Sequence, residues 1–274
     1  MILINGKPTQ TIDSRDRGLQ YGDGLFETIE INQGRIIFWQ RHLTRLLAGC
    51  QTLQIPPPSI QQLSQEIQRL VGQTSKSAVL KILISRGRGG RGYRLPDLTE
   101  PTRILSLHPF PNYPESYTTQ GIIAQFCQTP LGINPVLAGL KHNNRLEQIL
   151  ARAELDETQV QEGLMVDTHQ HIVEGTMTNL FIIKSGVIYT PPIDLCGVAG
   201  VMRSVIIDIA EQQSMPLKVQ YLTKACVLSA DSVFLSNSII GIWKVKQLDA
   251  TIFSDSPLVA LIKKIIKQKK RQEI

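Results

Sequence analysis

Residues 138–150 read AGLKHNNRLEQIL, a lysine placed just ahead of an apolar-periodic run that continues through ARAEL to Leu155. The spacing predicts a helix over 145–155, so Lys141 stands near a helix start, where a cation opposes the positive end of the helix dipole. That location, like any burial, favours the neutral amine, the form that Schiff-base chemistry with a carbonyl cofactor requires. An exposed lysine at an ordinary helix start has the same spacing, and this segment alone leaves both readings open.

Downstream, VEGTMTNLF (173–181) sets Glu174 between two strand-like runs, where it reads either as a surface turn acid or as a carboxylate able to pair with a protonated ring nitrogen. CGVAGVMR (196–203) puts Gly197 and Gly200 directly before a helix predicted over 200–213. The amides of Val201 and Met202 then point out of a helix N-terminus, which is a natural phosphate seat. Upstream, DRGLQYGDGLFETI (16–29) feeds Tyr21 and Thr28 into a strand through paired glycines that suggest close backbone approach. Arg45 lies on the helix that follows, and SRGRGGRGYR (85–94) interleaves Arg86, Arg91 and Tyr93 with glycine. Converging arginines of this kind bind carboxylates or phosphates in bidentate fashion.

Around these segments the chain reads as globular. Its 274 residues are 42% hydrophobic and 19% charged, and no apolar run approaches the roughly 18 residues of a membrane span. No secretory leader is apparent, so a cytoplasmic protein is expected. Cys50, Cys127, Cys196 and Cys226 are scattered; they read as buried reduced thiols, and no metal site is expected. Of the +6 net charge, the last fourteen residues, with six basic and one acidic, hold +5. Leu261, Ile262, Ile265 and Ile266 recur there at helical spacing and predict a terminal helix with a solvated basic face. Strand and helix patterns mix throughout, so the expected fold class is α+β. The expected organisation is a first domain over 1–108, a linker over 109–115 containing Pro109, Pro111 and Pro114, and a larger domain over 116–274 that carries Lys141. Neither G-x-G-x-x-G nor a P-loop opens a helix after a strand, which argues against both nucleotide-binding folds.

Taken together, DRGLQYGDGLFETI, ISRGRGGRGY, AGLKHNNRLEQ and VEGTMTNLF resemble, in order and spacing, the pyridoxal-phosphate enzymes of fold type IV, the class IV aminotransferase family. The resemblance runs from about residue 2 to residue 250. It implies two domains, pyridoxal 5'-phosphate in the cleft between them and a homodimer. Lys141 matches the lysine that bonds to the cofactor, Glu174 the acid at its ring nitrogen, and Arg45 the arginine on its phosphate. Val201, Met202 and the Ser238 hydroxyl match the rest of the phosphate seat. Within the family, SRGRGGRGY, KHNNRLEQ and Thr28 resemble the lyases that convert 4-amino-4-deoxychorismate to 4-aminobenzoate and pyruvate in folate biosynthesis. Thr28 occupies the position where branched-chain transaminases have glycine, and a hydroxyl there can relay a proton. Arg86, Arg91, Tyr21 and Tyr93 are the expected substrate-binding residues, with Arg86 favoured for a carboxylate. A D-amino-acid or branched-chain aminotransferase is the alternative within the fold. An RNA- or partner-binding module using the basic tail and the arginine–glycine loop is the non-enzyme alternative, although that loop is short and bounded by strands, unlike a disordered RNA-binding tract.

Overall fold

The structure is a computed structural model describing every residue except 73, 75, 157, 273 and 274. Two compact units emerge from its contacts: Met1–Pro111 with Leu140–Asn144, and Asn112–Gly139 with Arg145–Gln272. Both mix helices and strands, as expected of an α+β chain.

In chain order the first unit contains β1 (Ile2–Ile4), β2 (Lys7–Pro8), α1 (Arg17–Tyr21), β3 (Gly24–Asn32), β4 (Arg35–Ile36), α2 (Trp39–Thr52), α3 (Ile60–Val71), β5 (Ala78–Ser85) and β6 (Thr102–Pro109). Its six strands form an antiparallel sheet in the order β2-β1-β6-β5-β3-β4. Leu25, Ile29 and Ile31 of β3 and Leu80, Ile82 and Ile84 of β5 share one face and pack with Leu43, Leu46 and Cys50 of α2 and Leu63, Ile67 and Leu70 of α3. The period of two on the strands and of three to four on the helices meets in this one core. The helix α2 ends at Thr52, and Gln54, at φ 53°, turns the chain so that Ile55 N–H donates to Cys50 O over 2.8 Å.

The second unit contains α4 (Glu115–Thr119), β7 (Ile122–Phe126), α5 (Leu146–Ala153), β8 (Glu162–Val166), β9 (Ile172–Gly175), β10 (Asn179–Lys184), β11 (Val187–Thr190), α6 (Val201–Gln212), β12 (Leu217–Val219), α7 (Lys224–Leu228), β13 (Ser232–Asn237), β14 (Gly241–Leu248), β15 (Thr251–Ile252) and α8 (Pro257–Gln272). Its sheet runs β12-β11-β10-β13-β14-β7-β8-β9, and β9 also pairs with β10, so the strands from β10 round to β9 close on themselves. Leu164, Leu180, Ile182, Leu235, Trp243 and Val245 form its core. Strands β10 and β13 are buried on both faces, with Phe181 and Phe234 stacked at 4.9 Å, which explains their nearly continuous apolar sequence. The basic terminal helix docks: α8 buries Val259, Ile262 and Ile266 and packs against α6 and β14. No helix among the described residues is long and apolar enough to cross a membrane.

The segment Leu140–Asn144 departs from expectation. It packs with the first unit, so Lys141 is not carried by the second. Backbone pairing with β3 holds it there, whereas the helix after it, with its N-cap at Arg145, belongs to the second unit.

Candidate active site

Strand β3 places the lysine. One edge of its N-terminal half pairs with β5; along the other, Phe26 N–H donates to Lys141 O and Asn143 N–H donates to Gly24 O, both over 2.9 Å. Glycine is required here: a Cβ on Gly24 would stand 2.4 Å from Ile84 O and 2.6 Å from Asn143 Nδ2, and one on Gly22 only 2.2 Å from Asn144 Oδ1. The paired glycines of DRGLQYGDG therefore admit the lysine segment. Lys141 is half-buried, with Nζ 4.4 Å from the centre of the Phe26 ring. It lies four residues ahead of the N-cap of α5, so strand pairing, and not a helix start, describes its environment. Thr28, also half-buried, follows Phe26 on the same face of β3, paired across the sheet with Lys81, whose Nζ lies 5.5 Å from the same ring.

The arginines divide. Arg86, favoured for a substrate carboxylate, is 3% exposed and spent internally: Nε and Nη2 donate to Asp23, Nη1 to Gln54 O and Nη2 again to Leu53 O. Asp23 also receives Arg17 Nε at 2.9 Å, and Arg17 Nη1 reaches the carbonyls of Gly89, Gly92 and Arg94. These two buried arginines brace the glycine-rich loop, and Arg86 is not displayed for an external anion. Arg91 is exposed on that loop, and Tyr93, 88% exposed, meets Tyr21 edge-on at 5.8 Å.

Arg45 is held by a carboxylate that the sequence reading passed over. Its Nε and Nη2 donate to the two oxygens of Glu27 at 2.8 and 2.5 Å, and His42 Nδ1 lies 2.6 Å from Glu27 Oε2. Burial works to raise the Glu27 pKa, but the charge of Arg45 and the hydrogen bonds from His42 and Arg45 outweigh it and hold the carboxyl at about 2. Burial also lowers the pKa of His42, so the ring is neutral and donates a hydrogen bond to Glu27. Both folded-state values lie below the unfolded ones, so the unfolded chain binds more protons as pH falls. Stability conferred by this trio is thus fully present above the ordinary histidine value of 6.5 and is lost through the carboxylate range as pH falls towards 2. Glu27→Gln, which leaves a partly buried cation without its counter-charge, is expected to destabilise the chain by about 3–5 kcal/mol and to flatten that acid limb. Urea midpoints across pH 3–8 measure both; an unchanged acid limb would assign it to other carboxylates.

In the second unit, Glu174 is 4% exposed, paired across the sheet with Met165 and Asn179, and its Oε2 accepts Val198 N–H at 2.8 Å. Asn179 Nδ2 in turn donates to Val198 O at 2.9 Å. The loop through Gly197, at φ +85°, thus wraps the carboxylate and runs directly into α6 at its N-cap Gly200. A Cβ on Gly200 would meet Asn179 Oδ1 at 1.8 Å, so close packing on Asn179 sets where the helix begins. The first N–H groups of α6, at Val201 and Met202, have no intrahelical acceptor, and Gly200 offers no capping side chain. Beneath the turn, the fully buried Glu162 accepts the hydroxyls of Thr176 and Thr178 and the N–H of Thr176, and burial pushes its carboxyl up. Ser238 is half-buried in the turn after β13. Ser236, fully buried and in register with Asn179, has a hydroxyl with no hydrogen-bond partner among the described residues.

The sequence reading also missed Asn179 and Ser236. Their signal was available: Asn179 opens the apolar run LFII of β10, and Ser236 follows the apolar run VFL of β13.

Residues 24–248 match the family model described as amino-transferase class IV. An aminodeoxychorismate lyase of Vibrio harveyi is 38% identical over 91% of this chain and 92% of its own length. The solved structure of a 4-amino-4-deoxychorismate lyase from Pseudomonas aeruginosa, 40% identical, superposes with a TM-score of 0.92 over 100% of this chain and 99% of its own. A putative branched-chain-amino-acid aminotransferase of Methanocaldococcus jannaschii is 27% identical over 96% of this chain and 93% of its own length. The chain, an α+β protein with a buried strand carboxylate wrapped by the loop that leads into an uncapped helix N-terminus and a half-buried lysine threaded beside another strand, belongs to the class IV aminotransferase family.

Proposed function

We propose that this protein is a pyridoxal-phosphate-dependent lyase that converts 4-amino-4-deoxychorismate to 4-aminobenzoate and pyruvate. The observation that carries the proposal is the gap in similarity: 38% and 40% identity to two such lyases against 27% to an aminotransferase, all over nearly the whole chain. A homodimer in the cytoplasm is part of the same reading.

The residues fit the cofactor. A buried acid for a ring nitrogen, on β9, is wrapped by the loop that leads to an anion seat at the start of a 12-residue helix, and the Ser236 hydroxyl, unpartnered among the described residues, stands in one cross-strand row with Asn179 and that acid. Glu174 would hold the ring nitrogen protonated, the Val201 and Met202 amides and the Ser238 hydroxyl would hold the phosphate, and Arg45, oriented by Glu27, would add a cation to it. Pyridoxal phosphate, when bound through Lys141, supplies the electron sink for a carbanion next to the substrate amine. The Lys141 amine would take the proton from the amine-bearing ring carbon. Thr28 would donate a proton to the departing enolpyruvyl oxygen, and aromatisation of the product ring makes the elimination effectively irreversible. Arg91, with Tyr21 and Tyr93, would meet the substrate carboxylates.

Incubating the purified protein with 4-amino-4-deoxychorismate, and separately with an amino acid plus 2-oxoglutarate, tests the reading. Pyruvate with 4-aminobenzoate in the first mixture is expected; glutamate from the second, without those products, would make it an aminotransferase. For Thr28→Val, nearly isosteric but without a hydroxyl, 4-aminobenzoate formation is expected to slow at least about tenfold while the cofactor spectrum is unchanged, since general acid catalysis contributes roughly 10² to 10⁴. Thr28→Ser should recover most of the rate. Equal rates for valine and threonine would move the proton donor to Lys141 or water.

A further inference from the structure

The hairpin between β8 and β9 reads Asp167-Thr168-His169-Gln170-His171, and its chemistry is unused by the reaction proposed above. Asp167 N–H donates to His171 O and Gln170 N–H to Asp167 O, while Gln170 takes φ 66°, so a tight turn with one left-handed residue closes the loop. Two consequences follow for the side chains. One carboxylate oxygen of the buried Asp167 accepts the N–H groups of His169 and His171, at 2.8 and 2.9 Å, which fixes the aspartate in place. The other oxygen faces His171 Nδ1. One donor atom from each of Asp167, His169 and His171 can be chosen so that all three lie within 4.8 Å of one another.

We propose that this hairpin is a binding site for a divalent metal ion of the zinc class, held by the Asp167 carboxylate and the two imidazoles. The spacing argues for it. Asp167 Oδ2 and His171 Nδ1 stand 3.3 Å apart, longer than the 2.7–2.9 Å of a strong charge-assisted hydrogen bond. Two ligands each about 2.0–2.1 Å from one tetrahedral ion are separated by roughly 3.3–3.4 Å. A second carboxylate stands nearby: Tyr221, whose ring lies 4.6 Å from that of His171, donates its hydroxyl to Asp194 at 2.7 Å. Two imidazoles with a single carboxylate select zinc, copper or nickel over magnesium and calcium, which prefer all-oxygen shells. The half-exposed His171 and the exposed His169 leave the ion an approach from solvent and a position for water. A metal here clips the hairpin whose second strand carries Glu174 three residues after His171.

Calorimetric titration of the full-length protein with Zn²⁺, in a Cys226→Ser background that removes the one thiol among the described residues that is not buried, tests the site. One equivalent is expected to bind and to raise the unfolding temperature, with no response to Mg²⁺. His169→Ala and His171→Gln should each weaken binding by at least about tenfold, the scale on which even outer-shell partners alter metal affinity. The unfolding temperature of His169→Ala without metal should equal that of the parent, since its side chain is exposed. Absence of zinc binding, or binding undiminished in both histidine variants, overturns the proposal.

Discussion

Lys141→Ala is expected to abolish turnover, by at least about 10³-fold, and to leave no cofactor covalently attached. One positioned acid–base group contributes roughly 10² to 10⁴ in rate, and this substitution removes the covalent anchor as well. The fold should survive, because the contacts that seat the segment in β3 are backbone bonds, Phe26 N–H to Lys141 O and Asn143 N–H to Gly24 O, that do not use the side chain. Borohydride reduction followed by peptide mapping measures the attachment directly in the parent protein. The rival worth watching is Lys81, whose Nζ lies 5.5 Å from the Phe26 ring that Lys141 also approaches. Lys184 donates to Ser229 Oγ and lies in the other unit. A reduced pyridoxyl group on Lys81 would overturn the assignment.

Glu174→Gln is expected to separate binding from rate. The glutamine keeps an oxygen for Val198 N–H, so the loop into α6 and the amides at its N-terminus, the proposed phosphate seat, should stay in place and the cofactor should be retained. An amide does not hold a pyridine nitrogen protonated, so turnover should fall by on the order of 10²-fold or more, within the range of a single proton-holding group. Cofactor content measured by absorbance alongside the rate of pyruvate release gives both numbers. Wild-type turnover in this variant would reduce Glu174 to a structural member of the β9 turn.

Much of the fold was legible because its signals are local. The period-two run of ETIEI with the Gln33-Gly34 turn, the apolar face of Leu43, Leu46 and Cys50, and the glycines ahead of Val201 each depend on residues within a turn or a strand pair of one another. Candidate site residues stand out in the sequence where a motif is short and contiguous, as in AGLKHNN and VEGTMTN. Burial was not. Arg86 reads as a binding arginine in a glycine-rich loop until its partners are seen: Asp23, 63 positions away, and the carbonyls at the end of α2. Nor does the sequence mark Glu27, whose role shows only where Arg45 and His42 close on it.

By itself, then, the amino-acid sequence determined the element types, the α+β class, the residue kinds available for chemistry and the family they resemble, since hydrophobic period and turn chemistry act between near neighbours. Tertiary structure alone decided that Lys141 pairs beside β3 and not at a helix start, that Arg86 is consumed by Asp23, and that Asn179 and Ser236 stand in one cross-strand row with Glu174. Those outcomes depend on strand register and on which strands are neighbours. A one-residue slip in register moves every side chain of a strand to the other face, and the pairing of residues 24–26 with 141–143 is set by how the whole sheet packs and not by either segment.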